Sequence, residues 1–188
     1  MNRIFILLCA VSLFVSCGTY IQVTNDNREV CNFTCNDGSM SWSNIFRFDP
    51  SELDAVKTWY NSNFDVKKET EKMIIGETHS SALPLDEVGL NRMNVVMLMT
   101  HPCVVYFTTD FKEDRCRVTV NRIIWNPQVG VTTYGITQGV GTIDLNELAL
   151  RQGYYRSTFY NTTSEQLNKI LTYMFTPKLD QQGNDDSW

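Results

Sequence analysis

The residue with the clearest chemistry is Cys17. It closes Leu13-Phe14-Val15-Ser16-Cys17-Gly18, a lipobox-like run of apolar positions, one small residue and the cysteine that becomes the new N-terminus. Phe14 stands where such signals usually carry Leu, Val or Ile. Upstream, Met1-Asn2-Arg3 supplies a positive end, and Ile4 to Val15 is apolar apart from Cys9 and Ser12. That order fits a secretory signal peptide, and the run is too short for a bilayer, which needs about 20 apolar residues. Cleavage before Cys17 leaves the lipid-bearing cysteine as the new N-terminus, and several acyl chains hold a soluble domain durably where one holds it only marginally. The competing readings are an uncleaved buried helix or ordinary cleavage near Ser16.

Loss of Cys9 and lipidation of Cys17 leave Cys31, Cys35, Cys103 and Cys116. An even number in an oxidising compartment permits two disulfides. Cys31 and Cys35 are near enough in sequence for a short-loop bridge. Cys103 and Cys116 bracket an expected hairpin, but a turn at Lys112–Asp114 sets Cys116 opposite Thr109, too far from Cys103 for the ~5.5–6 Å Cα separation a disulfide favours. Buried free thiols are the alternative for that pair. His101 lies two residues before Cys103, and on one strand both would face the same side, as a Cys-His nucleophilic pair requires. Pro102 interrupts that alternation, and no third orienting group can be named. A metal site from Cys31, Cys35 and a histidine lacks a second ligand pair, so no metal is expected.

Arg115 and Arg117 share a strand face and could contact a carboxylate or a glycan phosphate, with Arg122 on the opposite face if the strand is regular. Solvated strand charges are the competing reading. No Gly-x-Ser-x-Gly, Walker, dinucleotide or zincin motif occurs, and Gly135…Gly139-Val140-Gly141 lacks a lysine, so no cofactor is expected.

The elements that must position these groups can be read from periodicity. Ser39–Phe48 alternates as a strand. Asp49-Pro50-Ser51-Glu52 is a capping box opening a helix over Ser51–Ser62, with Leu53, Val56, Trp59 and Tyr60 as its apolar face and Trp59 expected in the core. Strands are expected at Lys72–Thr78, Arg92–Thr100, Cys103–Asp110 and Arg115–Trp125, with a loop at His79–Asn91. The expected turn sets Phe107 against Val118 and Val105 against Val120. Pro127–Gly141 reads as a hairpin or a mobile loop. Asp144–Glu147 and Thr163–Gln166 each open a further helix, and Thr176–Trp188 reads as a tail.

The 188 residues are 43% hydrophobic and 20% charged, a profile that suits a globular domain rather than a membrane bundle. After the lipidated Cys17 come 171 residues, with 15 basic against 21 acidic ones because Arg3 departs with the signal. An acidic domain repels phosphate backbones, so no nucleic-acid partner is expected. The organisation expected is a lipoprotein signal and lipidated cysteine at 1–17, a tether at 18–38, one domain at 39–175 and a flexible tail at 176–188. One strand, one helix, a run of strands and then helices make an α+β domain, an antiparallel sheet with helices on one face.

The stretch Phe46–Asn126 resembles a Bacteroidetes lipoprotein domain of unknown function with a TATA-binding-protein-like fold. The resemblance rests on Leu53…Trp59-Tyr60…Phe64, Met73-Ile74-Ile75-Gly76, Tyr106…Asp110 and Asp114-Arg115-Cys116-Arg117-Val118. Cys116 stands where the family carries an aromatic, and Ser80–Thr100 is longer than usual. The resemblance implies a fold and a compartment and no activity, since a fold name by itself carries none. Gly18 is not an aspartate, and no acidic cluster follows Cys17, so an outer-membrane anchor facing the periplasm is expected ahead of display at the cell surface. There the domain is expected to be a non-catalytic binding or scaffold module for an envelope protein or glycan. The alternative is an envelope hydrolase or transferase using His101 and Cys103.

Overall fold

A computed structural model describes residues 20–126, 131–133, 136–138 and 141–179. The chain begins with β1 (Tyr20–Gln22), β2 (Glu29–Val30), β3 (Phe33–Asn36) and β4 (Ser39–Arg47). Then come α1 (Leu53–Asn63), β5 (Asp65–Thr70), β6 (Met73–Glu77), β7 (Cys103–Lys112) and β8 (Arg115–Trp125). The short β9 (Val131–Thr133), β10 (Ile136–Gln138) and β11 (Ile143–Asp144) lead to α2 (Leu145–Ala149), β12 (Leu150–Arg151), β13 (Tyr154–Arg156) and α3 (Ser164–Phe175).

Seven strands form one antiparallel sheet in the order β2-β3-β4-β8-β7-β6-β5, and β11 adds to the end of β8. A small sheet, β1-β13-β12, stands apart from it, and β9 pairs with β10 as a hairpin. This is the α+β architecture expected, with the helices against one face of the main sheet. Along β7 and β8 alternate residues, among them Cys103, Val105, Phe107, Phe111, Cys116, Val118, Val120, Ile123 and Trp125, are buried. Onto them α1 sets Val56 and Tyr60, and α3 sets Leu167, Ile170, Leu171 and Phe175. Phe107 meets the rings of Phe64 and Phe175 edge-on at 4.9 Å each, so strand, helix end and C-terminal helix share one aromatic cluster.

Several expectations need correction. The turn between β7 and β8 is the two-residue Glu113-Asp114, because Lys112 pairs with Arg115. Phe107 therefore faces Val120 rather than Val118, and Val105 faces Ile123 rather than Val120. The first of these is a slip of two, which keeps the strand residues up to Val120 on their expected faces, and α1 does pack on the Phe107 side. In α1 the buried residues are Val56 and Tyr60, whereas Trp59 is half-buried at the flank. Arg92–Thr100 is not a strand but two 3-10 turns, Arg92–Asn94 and Met97–Thr100. The Asn91 side chain accepts from Met93 N–H and starts the first turn, and the exposed Met93 and Met97 contribute nothing to a buried face.

The stretch 18–38 is not simply a tether. From Tyr20 onward it supplies three strands, and Phe33 is fully buried against Phe159. Its turns explain why. Asp37-Gly38 joins β3 to β4 with φ of 49° and 75°, the double positive φ of a type I′ hairpin turn, and Cys31-Asn32 joins β2 to β3 in the same way. The capping boxes at Asp49 and Asp144 form as expected. Thr163 does not cap α3, because a π-helical turn, Phe159–Thr163, runs straight into that helix. The signal with Cys17, most of the Gly/Thr segment's links and residues 180–188 lie outside the described residues.

Candidate functional site

Cys103 opens β7, where it pairs with Trp125 and is bridged by Ser81 through two backbone hydrogen bonds, Cys103 N–H to Ser81 O at 2.9 Å and the reverse at 3.3 Å. Its side chain is 2% exposed, and burial pushes the thiol up to about 12. A nucleophilic cysteine needs the opposite shift, toward thiolate at neutral pH. His101 belongs to the turn before the strand, its N–H bonded to Leu98 O, so strand alternation does not carry it to the side of Cys103. The Cys-His alternative thus lacks both an ionised thiol and the shared strand face on which it was founded.

Cys31 and Cys35 are both free thiols, the first exposed at a hairpin tip and the second buried in β3. Cys35 N–H donates to Arg28 O at 2.8 Å, so its cross-strand neighbour is Arg28, three residues back from Cys31. At about 3.3 Å per strand residue the two cysteines are some 10 Å apart along the hairpin alone, beyond disulfide reach. The short loop suggested by their spacing is a tight hairpin instead. Cys116 is also a buried free thiol, opposite Phe111 and 3.9 Å from the Tyr60 hydroxyl. Among the described residues, no three His, Cys, Asp or Glu side chains gather so that they could hold a metal ion.

The arginines lie on the other face of the main sheet. A bulge in β8 gives Asn121 no partner, Tyr106 pairing with Arg122 and Phe107 with Val120. The extra residue reverses the alternation, so Arg122 joins Arg115 and Arg117 on the outer face rather than opposing them. Its guanidinium lies 5.8 Å from the centre of the Tyr106 ring. Arg117 lies 3.3 Å from Asp110, and Arg115 is 3.6 Å from Asp114, which Arg47 also approaches at 3.7 Å. These carboxylates leave Arg115 and Arg117 partly neutralised, and exposed pairs of this sort are worth little in stability. Around them Ser43, Ile45, Val104, Tyr106, Thr108, Thr119 and Ile124 are all half-buried or exposed. An open, mixed apolar, hydroxyl and arginine surface offers stacking, hydrogen bonds and ion pairs to a partner.

A second feature escaped sequence reading. Beside the small sheet opens a groove of about 690 Å³, lined in part by Tyr20, Leu98, Ile143, Leu148, Arg156 and Phe159. Its residues come from four separate parts of the chain, so only the fold assembles it. The alternation of Tyr154-Tyr155-Arg156 was the one signal that could have pointed there.

Among the described residues no helix is long and apolar enough to cross a membrane. No family model matches the chain, and no curated protein does. The chain is similar in structure to a DUF4468 family protein from Bacteroides ovatus, with a TM-score of 0.41 and 12% identity over 82% of this chain and 90% of that one.

Proposed function

We propose that this protein is a lipid-anchored module of the bacterial cell envelope, attached through Cys17 to the outer membrane and facing the periplasm. Its domain is of the Bacteroidetes kind that its sequence resembles, TATA-binding-protein-like in fold and non-catalytic. The anchor reading is supported by the charged start, the apolar run and the Leu13–Gly18 pattern. The binding reading is carried by one observation, the outer face of β4, β8 and β7, on which no helix among the described residues packs. One side of that sheet is saturated by α1 and α3, while on the other every side chain is half-buried or exposed.

The partner proposed for that face is an envelope protein or glycan, with Tyr106 and Arg122 at its centre. Hydroxyls of Thr108 and Thr119, paired across the strands, can share hydrogen bonds with such a partner. A photo-crosslinking residue at Thr108, introduced into the full chain in cells, should capture a discrete envelope component. The same residue at Glu69, on the exposed edge strand β5, should not. Equal capture at both positions would defeat the assignment of the face.

A further inference from the structure

Two strand pairings, β1 with β13 and β13 with β12, build an exposed surface close to the anchor. Register sets Tyr20 against Arg156 and Gln22 against Tyr154, while Arg151 of β12 faces Tyr154. Alternation then places Tyr20, Gln22, Arg151, Tyr154 and Arg156 on one side of the small sheet, all exposed. Ile21, Leu150 and Tyr155 turn the other way, against the core. Tyr20 and Tyr154 are 43% and 41% exposed, among the few large apolar side chains left in water. Arg151 donates to the Tyr20 hydroxyl at 2.6 Å, with its guanidinium 5.6 Å from the ring centre, so aromatic and cation are held as one unit.

The charge of this patch runs against that of the whole. The chain carries a net −5, yet β1, β12 and β13 contain two arginines and no carboxylate. The nearest acids in sequence are Asp26, after β1, and Glu147 of α2, whose backbone carbonyl accepts from Arg156 Nε at 2.9 Å. The groove lined by Leu98, Ile143, Leu148 and Phe159 is bordered by the same Tyr20 and Arg156 and by Glu147, whose carboxylate accepts from Asp144 N–H in the capping box.

Position supplies the occupant. Tyr20 follows Cys17 by three residues, which span at most about 11 Å. We propose that this face lies against the bilayer, with Tyr20 and Tyr154 in the interfacial layer and Arg151 and Arg156 on anionic headgroups. Tyrosine suits that layer because one end is apolar and the other wet, and arginine is drawn by the negative surface potential. Two weak arginine contacts would not hold a free domain. Tethered by lipid they act at high local concentration and fix its orientation. This inference rests on lipidation of Cys17.

The test uses the acylated full chain in phosphatidylglycerol and phosphatidylethanolamine vesicles with brominated acyl chains. A Gln22→Cys variant in a Cys31→Ser background carries a small fluorophore, and a parallel sample carries it at Ile45→Cys, on the outer face of the main sheet. The label at 22 should lose emission relative to unbrominated vesicles, and the label at 45 should not. Arg151→Gln with Arg156→Gln should restore much of the emission at 22. Every substituted position is exposed, so folding is not at stake. Equal emission from both labels, with mass spectrometry showing acyl chains on Cys17, would overturn the docking face and leave the anchor standing. Absence of acyl chains from Cys17 would remove the anchor and the docking face together.

Discussion

Burial at Cys103 and Cys116 lowers their reactivity and contributes, with buried Tyr60 and Tyr155, to a loss of stability at alkaline pH. Their thiols are pushed up from 9.0 to about 12 and about 11. Between pH 9 and those values the unfolded chain gives up protons that the folded one keeps. Stability therefore falls as pH rises through that window, and it is unaffected by these thiols below it. Denaturation midpoints should decline above pH 9, and less steeply in Cys103→Ala. A flat alkaline limb would show that the thiols are solvated. In the native protein a thiol reagent should modify Cys31 promptly and leave Cys103 untouched. At Tyr60 the hydroxyl donates to Phe175 O at 2.8 Å in the core, tying α1 to the end of α3. Tyr60→Phe leaves that carbonyl unpaired and should cost about 1–3 kcal/mol. Trp59→Ala should cost less than Tyr60→Ala, and the reverse order in denaturant melts would mean that the helix face is centred elsewhere. The sequence showed this face to within one residue. Leu53, Val56, Trp59 and Tyr60 all satisfy helical spacing, and nothing in a pattern says which aromatic lies at the middle of the stripe.

Among the elements, two glycines separate backbone cost from space. Gly38 has φ of +75° and nothing within 4 Å of an added Cβ, so Gly38→Ala should lose about 1 kcal/mol through strain alone. At Gly76 an added Cβ would stand 2.9 Å from Phe107, whose ring is held by Phe64 and Phe175. Gly76→Ala should cost about 1–3 kcal/mol as overpacking, and Phe107→Leu should relieve part of it. Additive losses in that double mutant would contradict the contact. Strands β7 and β8 and both capping boxes were legible because their signals are local: strict alternation, or an acid three residues before another. Strand β5 was missed because Asp65-Val66-Lys67-Lys68-Glu69-Thr70 is an edge strand, charged as edges are, and so carries no apolar period. Arg92–Thr100 misled in the opposite sense, since Met93 at 90% exposure and Met97 at 67% look buried in any pattern. Phe33 and Cys35 did alternate with Thr34 and Asn36, and Asp37-Gly38 is a strong hairpin signal. The polar run that precedes them, Gly18–Glu29, masks both signals and makes the whole stretch look like a tether. The bulge at Asn121 was invisible in sequence, and with it the common face of the three arginines.

For the whole molecule, the main consequence is that the fold begins at Tyr20 rather than after a long tether. A domain hung from Cys17 would have two residues of slack, not twenty, which makes its orientation on the membrane a property of the fold. The outer face of the main sheet is then the surface we propose for a partner. The proposed orientation on the membrane requires that Cys17 carry lipid. The decisive measurement is incorporation of labelled fatty acid in cells, followed by fractionation, for the wild-type chain and Cys17→Ala. The account predicts label and membrane association in the wild type, and loss of both in the variant, which should be recovered soluble and folded. Unlabelled wild-type protein, or a variant that stays with the membrane, would contradict it.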